Sequence, residues 1–307
     1  MSVWLPSAPC TPRLCLADPA PSVPAPRRAL RYLAGTAVLL CGVALAPLVR
    51  LCSPARRDRL TARWSLAVVA AFGVRVRITG AEAGRLAAGA LVVVNHVSWL
   101  DIPLVAAVRP GRMLAKREVA SYPVLGPLAA LGRTLFLDRD RLRALPGTVA
   151  EMAGALRAGS TVVAFPEGST WCGRQHGRFR HAVFQAAIDA SAPVQPVAVR
   201  YRLRAAEPTA VAAFVGEDTL FASLRRVAAA RGLVAEVALL PRIPAGTYAD
   251  RRALARAAQA AVAGHGAGAE DGWPRPSGIH PGRNRPPAPA VVPARARRPK
   301  AAGASAE

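Results

Sequence analysis

The sequence predicts an α/β domain with a mixed central sheet flanked by helices, preceded by an N-terminal membrane-associating helical segment. Three observations carry this. After residue 74, short apolar β-branched runs alternate with helix-length segments. Two of those runs, Leu91–Val94 and Val162–Ala164, end abruptly in polar motifs. Upstream, an uncharged apolar stretch from Tyr32 to Val49 lies between arginines.

The elements follow in order. Residues 1–26 are Pro- and Ala-rich with little periodicity and read as a disordered N-terminus. Residues 27–74 read as the membrane-associating segment. Arg27, Arg28 and Arg31 precede its first apolar run and Arg50 closes it. A second run, Trp64–Val74, is too short to span a bilayer. Arginines at both ends of each run can snorkel to headgroups. A single spanning anchor and a pair of helices dipping into one leaflet both fit. Residues 75–263 read as the α/β domain. Its strands are expected near 74–79, 90–94, 112–115, 134–137, 161–165, 194–200, 209–215 and 233–240. Its helices are expected over 98–108, 121–131, 141–158, 178–190, 219–231 and 248–263. Residues 264–307, rich in Pro, Gly, Ala and Arg, read as a disordered basic tail.

The first polar motif is Val94-Asn95-His96-Val97-Ser98-Trp99-Leu100-Asp101. It delivers a histidine to the C-terminal end of a buried strand, where open α/β sheets place their ligands. Histidine takes and returns a proton near neutral pH. A carboxylate such as Asp101 can fix the ring's tautomer and stabilise the imidazolium. Ser98-x-x-Asp101 also fits a capping box, with Ser98 opening a helix. The second motif is Phe165-Pro166-Glu167-Gly168-Ser169. Pro166 fixes the backbone, and Gly168 permits a positive φ or a close ligand approach.

In combination these residues resemble the glycerolipid acyltransferase family, the type that acylates 1-acylglycerol-3-phosphate. Asn95, His96 and Asp101 match its Asn-His-x4-Asp motif. Gly132 to Arg139 matches its second region, with Lys116 at the lysine that usually precedes it. Phe165 to Ser169 matches Phe-Pro-Glu-Gly-Thr/Ser, and Ala192 to Val197 matches its fourth motif loosely. The resemblance covers about residues 60 to 260. One departure stands out: Thr170-Trp171-Cys172 follows Ser169, where the family commonly continues with Arg. Branches that acylate other lyso-lipids, such as lyso-ornithine lipid, vary here too.

The resemblance implies a membrane-associated O-acyltransferase that moves a fatty acyl group from acyl-CoA or acyl-carrier protein to a lysophospholipid hydroxyl. His96 is then the general base and Asp101 its orienting carboxylate. Arg139 and, second, Lys116 are the phosphate partners, because cations grip phosphate. Glu167, Gly168 and Ser169 belong to acceptor binding, with Glu167 accepting from an acceptor hydroxyl or holding an arginine. Backbone N–H groups around Gly168, or at the helix start after Ser98, are candidate oxyanion donors. No metal or organic cofactor is implied. The active site is expected to face the cytoplasm, where such thioesters occur.

The chain carries 41 basic against 18 acidic residues, a formal charge of +23, and only Lys116 and Lys300 are lysines. Such a charge attracts phosphate, whether in lipid, CoA or nucleic acid. Nucleic-acid binding is set aside: no recognition signature occurs and aromatic residues are sparse. The cysteines Cys10, Cys15, Cys41, Cys52 and Cys172 are odd in number. Their spacings match neither a zinc signature nor a disulfide framework. Cys172 reads as an ordinary buried thiol, and the set suits a reducing compartment. His176 and His181 read as solvated residues near a helix start.

Overall fold

The computed structural model describes residues 8–17, 20–80, 89–122, 125–138, 141–204 and 207–267. The sheet strands are β1 (Arg75–Thr79), β2 (Leu91–Val94), β3 (Arg112–Lys116), β4 (Leu135–Leu137), β5 (Val162–Ala164), β6 (Val194–Leu203), β7 (Glu207–Pro208) and β8 (Leu233–Leu239). They lie in the order β1-β8-β6-β2-β5-β3-β4, with the short β7 paired to β6. From β6 to β4 every neighbour is parallel, and β8 runs antiparallel to β6. The mixed sheet is as expected.

The helices are α1 (Pro12–Cys15), α2 (Ala25–Arg50), α3 (Pro54–Ala71), α4 (Asp101–Val108), α5 (Leu125–Leu131), α6 (Leu145–Arg157), α7 (Ala182–Asp189), α8 (Leu220–Ala229) and α9 (Arg251–Ala267). Strand β2 is buried at every residue, on both faces, as an apolar run in a parallel sheet requires. One face of the sheet packs on a core that includes Leu100, Leu104, Val68 and Val69. The other packs on Met152, Phe184 and Ala258.

Two expectations fail, each for a physical reason. Residues 209–215 are not a strand. Their apolar side chains are buried, but Arg226 takes up their carbonyls: its Nε donates to Val211 O at 2.8 Å and its Nη2 to Ala213 O at 2.6 Å. Asp218 Oδ2 holds the same guanidinium at 2.6 Å. A side chain thus replaces a neighbouring strand as hydrogen-bond partner, a substitution that apolar patterning does not reveal. The N-terminus also departs from expectation. Residues 8–17 include α1, capped by Thr11, and bury Cys10 and Cys15. Those thiols supply the apolar surface that composition had concealed. The basic tail from residue 268 onward lies outside the described residues.

Helices α2 and α3 form a hairpin. Trp64 Nε1 of α3 donates to Val38 O of α2 at 2.9 Å. Helix α2 has 26 residues, about 39 Å at 1.5 Å per residue, and is long and apolar enough to cross a membrane. Both its ends nevertheless touch the catalytic domain. Near the N-terminal end, Arg31 donates to Ala228 O and Ala230 O at the end of α8, each at 2.8 Å. At the other end, Arg50 donates to Ala130 O in α5 at 3.3 Å. Arg31 is thus buried rather than snorkelling, because it caps the carbonyls that α8 leaves open. Leu30, Leu33, Leu40, Leu45, Leu48 and Leu51 remain exposed along the hairpin.

Candidate active site

The site is built at the C-terminal ends of β2 and β5, which pair in parallel with Leu91 beside Val162. Beyond Val94, Asn95 continues the ladder with its side chain. Its Nδ2 donates to Val199 O at 2.9 Å, and Val199 N donates to its Oδ1 at 2.8 Å. This ties the outgoing chain to β6 and fixes where His96 emerges.

His96 Nδ1 lies 2.8 Å from Asp101 Oδ2. The same oxygen accepts Val97 N at 2.7 Å and Ser98 N at 2.8 Å. The other, Oδ1, accepts Tyr201 Oη at 2.6 Å. Asp101 is fully buried (0% exposed), so its charge is held by these donors rather than by water. The imidazole stacks on Phe165, centroids 4.1 Å apart, and its side chain is 19% exposed. With Nδ1 bound to the carboxylate, Nε2 is the nitrogen left for a substrate proton.

One carboxylate thus reaches both the imidazole and the N–H groups of Val97 and Ser98. Ser98 is not the helix cap, however. Helix α4 starts at Asp101, and Ser98 Oγ accepts Leu100 N at 3.3 Å inside the preceding turn.

Glu167 braces the same histidine from the other side. Its Oε2 accepts His96 N at 2.6 Å and its Oε1 accepts Gly177 N at 2.8 Å. Burial is the main reason its carboxyl is pushed up from 4.5 to about 8, against the pull of those two N–H donors. Both oxygens are committed to the main chain. In the structure Glu167 holds the main chain of His96 and of Gly177. Gly168 (φ +74°) closes the turn with its N–H on Phe165 O at 3.0 Å. That N–H and those of Val97, Ser98 and Leu100 are thus engaged within the protein, which argues against them as oxyanion donors.

Beyond the turn, Trp171 N donates to His96 O at 2.7 Å. His96 therefore has both its N–H and its C=O tied to the loop that follows β5. Gly177 is required here: a Cβ would sit 2.3 Å from Trp171 Nε1. Phe214 completes the frame, with its N–H on Val97 O at 2.9 Å and its carbonyl accepting the Thr170 hydroxyl.

Ser169 lies half-buried on the same turn. Lys116 is exposed at the end of β3, two strands from β2 and so about 10 Å away across the sheet. Arg139 lies outside the described residues. His176 is not solvated as expected: its Nδ1 is buried, 3.9 Å from Glu167 Oε1. Burial pushes its pKa down. Sequence reasoning missed Tyr201, which lies between Arg200 and Arg202 in β6 and carries no local signal of its role. It also missed Phe165 as a stacking surface and Trp171 as a backbone donor.

Cys172 is a buried free thiol, as expected. It is not an isolated thiol: the sulfurs of Cys10, Cys15 and Cys172 all lie within 4.8 Å of one another. The partners are over 150 residues apart in sequence, so no local spacing could disclose them.

Known proteins support the same reading. A family model described as Acyltransferase matches residues 75–200. The lyso-ornithine lipid O-acyltransferase of Pseudomonas aeruginosa is 39% identical over 208 residues, 67% of this chain and 78% of that protein. The 1-acyl-sn-glycerol-3-phosphate acyltransferase of Neisseria meningitidis is 39% identical over 152 residues, 48% of this chain and 58% of that protein. The crystal structure of PlsC, the 1-acyl-sn-glycerophosphate (LPA) acyltransferase of Thermotoga maritima, superposes with a TM-score of 0.61. It is 18% identical and matches 81% of this chain and 97% of its own, a likeness of fold. With its motifs in order, its sheet carrying them and these relatives beside it, the chain belongs to the glycerolipid acyltransferase family.

Proposed function

We propose that this acyltransferase moves a fatty acyl group from an acyl-CoA or acyl-carrier-protein thioester to the free hydroxyl of a lysophospholipid. The acceptor in this reading is 1-acylglycerol-3-phosphate, and the product phosphatidic acid. The carrying observation is the 2.8 Å contact between His96 Nδ1 and the fully buried Asp101. A hydroxyl is a weak nucleophile at neutral pH and needs a base as it attacks.

His96 Nε2 takes the hydroxyl proton while the oxygen bonds to the thioester carbonyl carbon. The tetrahedral intermediate then breaks its C–S bond. The thiolate leaves and receives the proton from the imidazolium. Asp101 stabilises that imidazolium and keeps the Nδ1–H tautomer. Glu167 and the Trp171 N–H keep the His96 backbone in place. No acyl-enzyme is needed, and the thioester itself supplies the activation, so no metal or organic cofactor enters the reaction. Lys116 and Arg139 are the proposed phosphate partners, a role that rests on the family resemblance. Gly168 and Ser169 line the acceptor side.

Attachment to the membrane runs through the exposed leucines of the α2–α3 hairpin. A spanning helix would put its ends on opposite sides of the bilayer. Both ends of α2 touch the same domain, which supports a hairpin dipping into one leaflet. Cytosolic thioesters place the active site on the cytoplasmic side. Holding the acceptor's tail in the leaflet also reduces the cost of positioning its hydroxyl.

A second reading, lyso-ornithine lipid as acceptor, has its own support. Thr170 stands where the family commonly has Arg, and its hydroxyl is turned onto Phe214 O. The Pseudomonas relative with that activity in its name is also matched over more of its length than the Neisseria enzyme. Purified protein given a fatty acyl thioester and each lyso-lipid separately decides between them by product mass. Phosphatidic acid supports the first acceptor, and acylated ornithine lipid alone replaces it with the second. No product from either lipid would sink the acyl-transfer assignment for this chain.

A further inference from the structure

Three thiols meet where the catalytic frame has no use for them. Cys10 precedes α1 and Cys15 is its last residue, and Cys172 follows Trp171 in the loop after β5. All three residues are buried, at 5%, 8% and 3% exposure, and none forms a disulfide. Their sulfurs lie within 4.8 Å of one another. Two thiolates on one zinc ion, each about 2.3 Å from it at a tetrahedral angle, sit roughly 3.8 Å apart, so the spacing suits a shared cation.

The surrounding backbone points the same way. The N–H groups of Arg174 and Gln175 both face the Cys172 sulfur. Gly173 (φ +86°) makes that turn possible. The Cys172 N–H faces the Cys10 sulfur, and the Thr11 N–H faces the Cys15 sulfur. Each sulfur thus has an N–H group beside it, while the Cys172 sulfur and burial still push the Cys10 thiol up and burial pushes the Cys15 thiol up. Ordinary apolar packing gives no reason for three thiols to converge with their donors.

We propose that Cys10, Cys15 and Cys172 bind one Zn²⁺ as thiolates. Thiolate sulfur selects soft or borderline cations, and zinc carries no redox chemistry of its own. The ion is structural. It fastens the N-terminal segment to the loop whose Trp171 N–H holds the His96 carbonyl. The N-terminal segment also lies against the 214–217 turn: a Cβ at Gly216 would meet Cys10 O at 2.9 Å. That turn holds Val97 and Thr170 through Phe214. One cation thus ties down the loop that holds the His96 carbonyl and the turn that holds Val97.

The test uses the full-length untagged protein in detergent, stripped of metal under reducing conditions and reconstituted with Zn²⁺. Elemental analysis is expected to find about one zinc per chain, rising no further in excess zinc. Cys10→Ser, Cys15→Ser and Cys172→Ser should each lower zinc affinity by about tenfold or more, whereas the Cys41→Ser, Cys52→Ser double variant keeps it. Should a serine variant fail to fold, Co²⁺ added to the stripped wild-type protein answers instead. An intense thiolate-to-cobalt charge-transfer band, with visible bands of tetrahedral strength, is expected. The proposal is overturned by zinc well below one per chain, by unchanged zinc binding in Cys172→Ser, or by a cobalt spectrum without thiolate bands. Uptake of Cu⁺ without uptake of Zn²⁺ also overturns it.

Discussion

Two loops at the ends of adjacent strands each bring a carboxylate to the same histidine, and they use it differently. Asp101, after β2, reaches the His96 ring at 2.8 Å. Glu167, after β5, reaches the His96 main chain at 2.6 Å. Both are buried and both accept backbone N–H groups. Only Asp101 can answer the charge that forms on the imidazole during proton transfer. Glu167 decides where the imidazole sits. In the proposed mechanism the two motifs form one device, with proton chemistry on one strand end and placement on its neighbour.

The largest expected effect breaks the chemical side. Asp101→Asn should lower kcat by about 10²–10⁴-fold, because it removes the charge facing the imidazolium and favours the wrong tautomer. Steady-state kinetics at saturating acceptor would check this. A loss under tenfold would place Asp101 with Glu167 as a structural brace.

Breaking the placement side should appear first in stability. Glu167→Gln leaves one of the His96 and Gly177 N–H groups facing an amide NH₂, at a cost of about 1–3 kcal/mol by urea unfolding. The pH dependence sharpens the contrast. Glu167 is lifted from 4.5 in the open chain to about 8 in the fold. The folded chain therefore holds a proton there that the unfolded chain has released between those values. Its contribution to stability is complete below pH 4.5 and is lost as pH rises through about 8. Relative to Glu167→Gln, the wild type should lose stability over that window. Parallel curves for the two proteins would remove the buried-carboxyl account.

How legible these roles were depended on where the partners lie. His96 and Asp101 sit five residues apart in one loop, so the sequence displayed the pair and its chemistry. The parallel strands were legible as buried β-branched runs, and every sheet-path strand falls within a residue or a few of its expected place. Glu167 was visible as a motif, but its partners His96 N and Gly177 N were not, since their meeting depends on strand order. Tyr201 was hidden for the same reason, reaching Asp101 across 100 residues. The 209–215 run misled because Arg226 satisfies its backbone, and a side chain doing a strand's work leaves no periodicity. The three cysteines were counted correctly and separated wrongly.

Tyr201→Phe tests how far Asp101 depends on support from β6. Removing the 2.6 Å Oη donor should cost about tenfold in kcat, since a hydrogen bond to a charged group contributes about 1.5–3 kcal/mol. An unchanged kcat would mean that the Val97 and Ser98 N–H groups suffice. The smallest effect on the chemistry belongs to the hairpin. Leu40→Ser and Leu48→Ser should each weaken vesicle binding roughly tenfold, since burying a leucine contributes about 1.5–3 kcal/mol. Turnover on a detergent-dispersed acceptor should hold. Flotation with vesicles reads the first quantity and the detergent assay the second.

The most direct test is thioester release by the purified enzyme with and without acceptor, beside His96→Ala at matched melting temperature. The account predicts release that requires acceptor and falls by about 10²–10⁴-fold in His96→Ala. Release that persists in folded His96→Ala, or an acceptor-independent burst equal to the enzyme present, would contradict it.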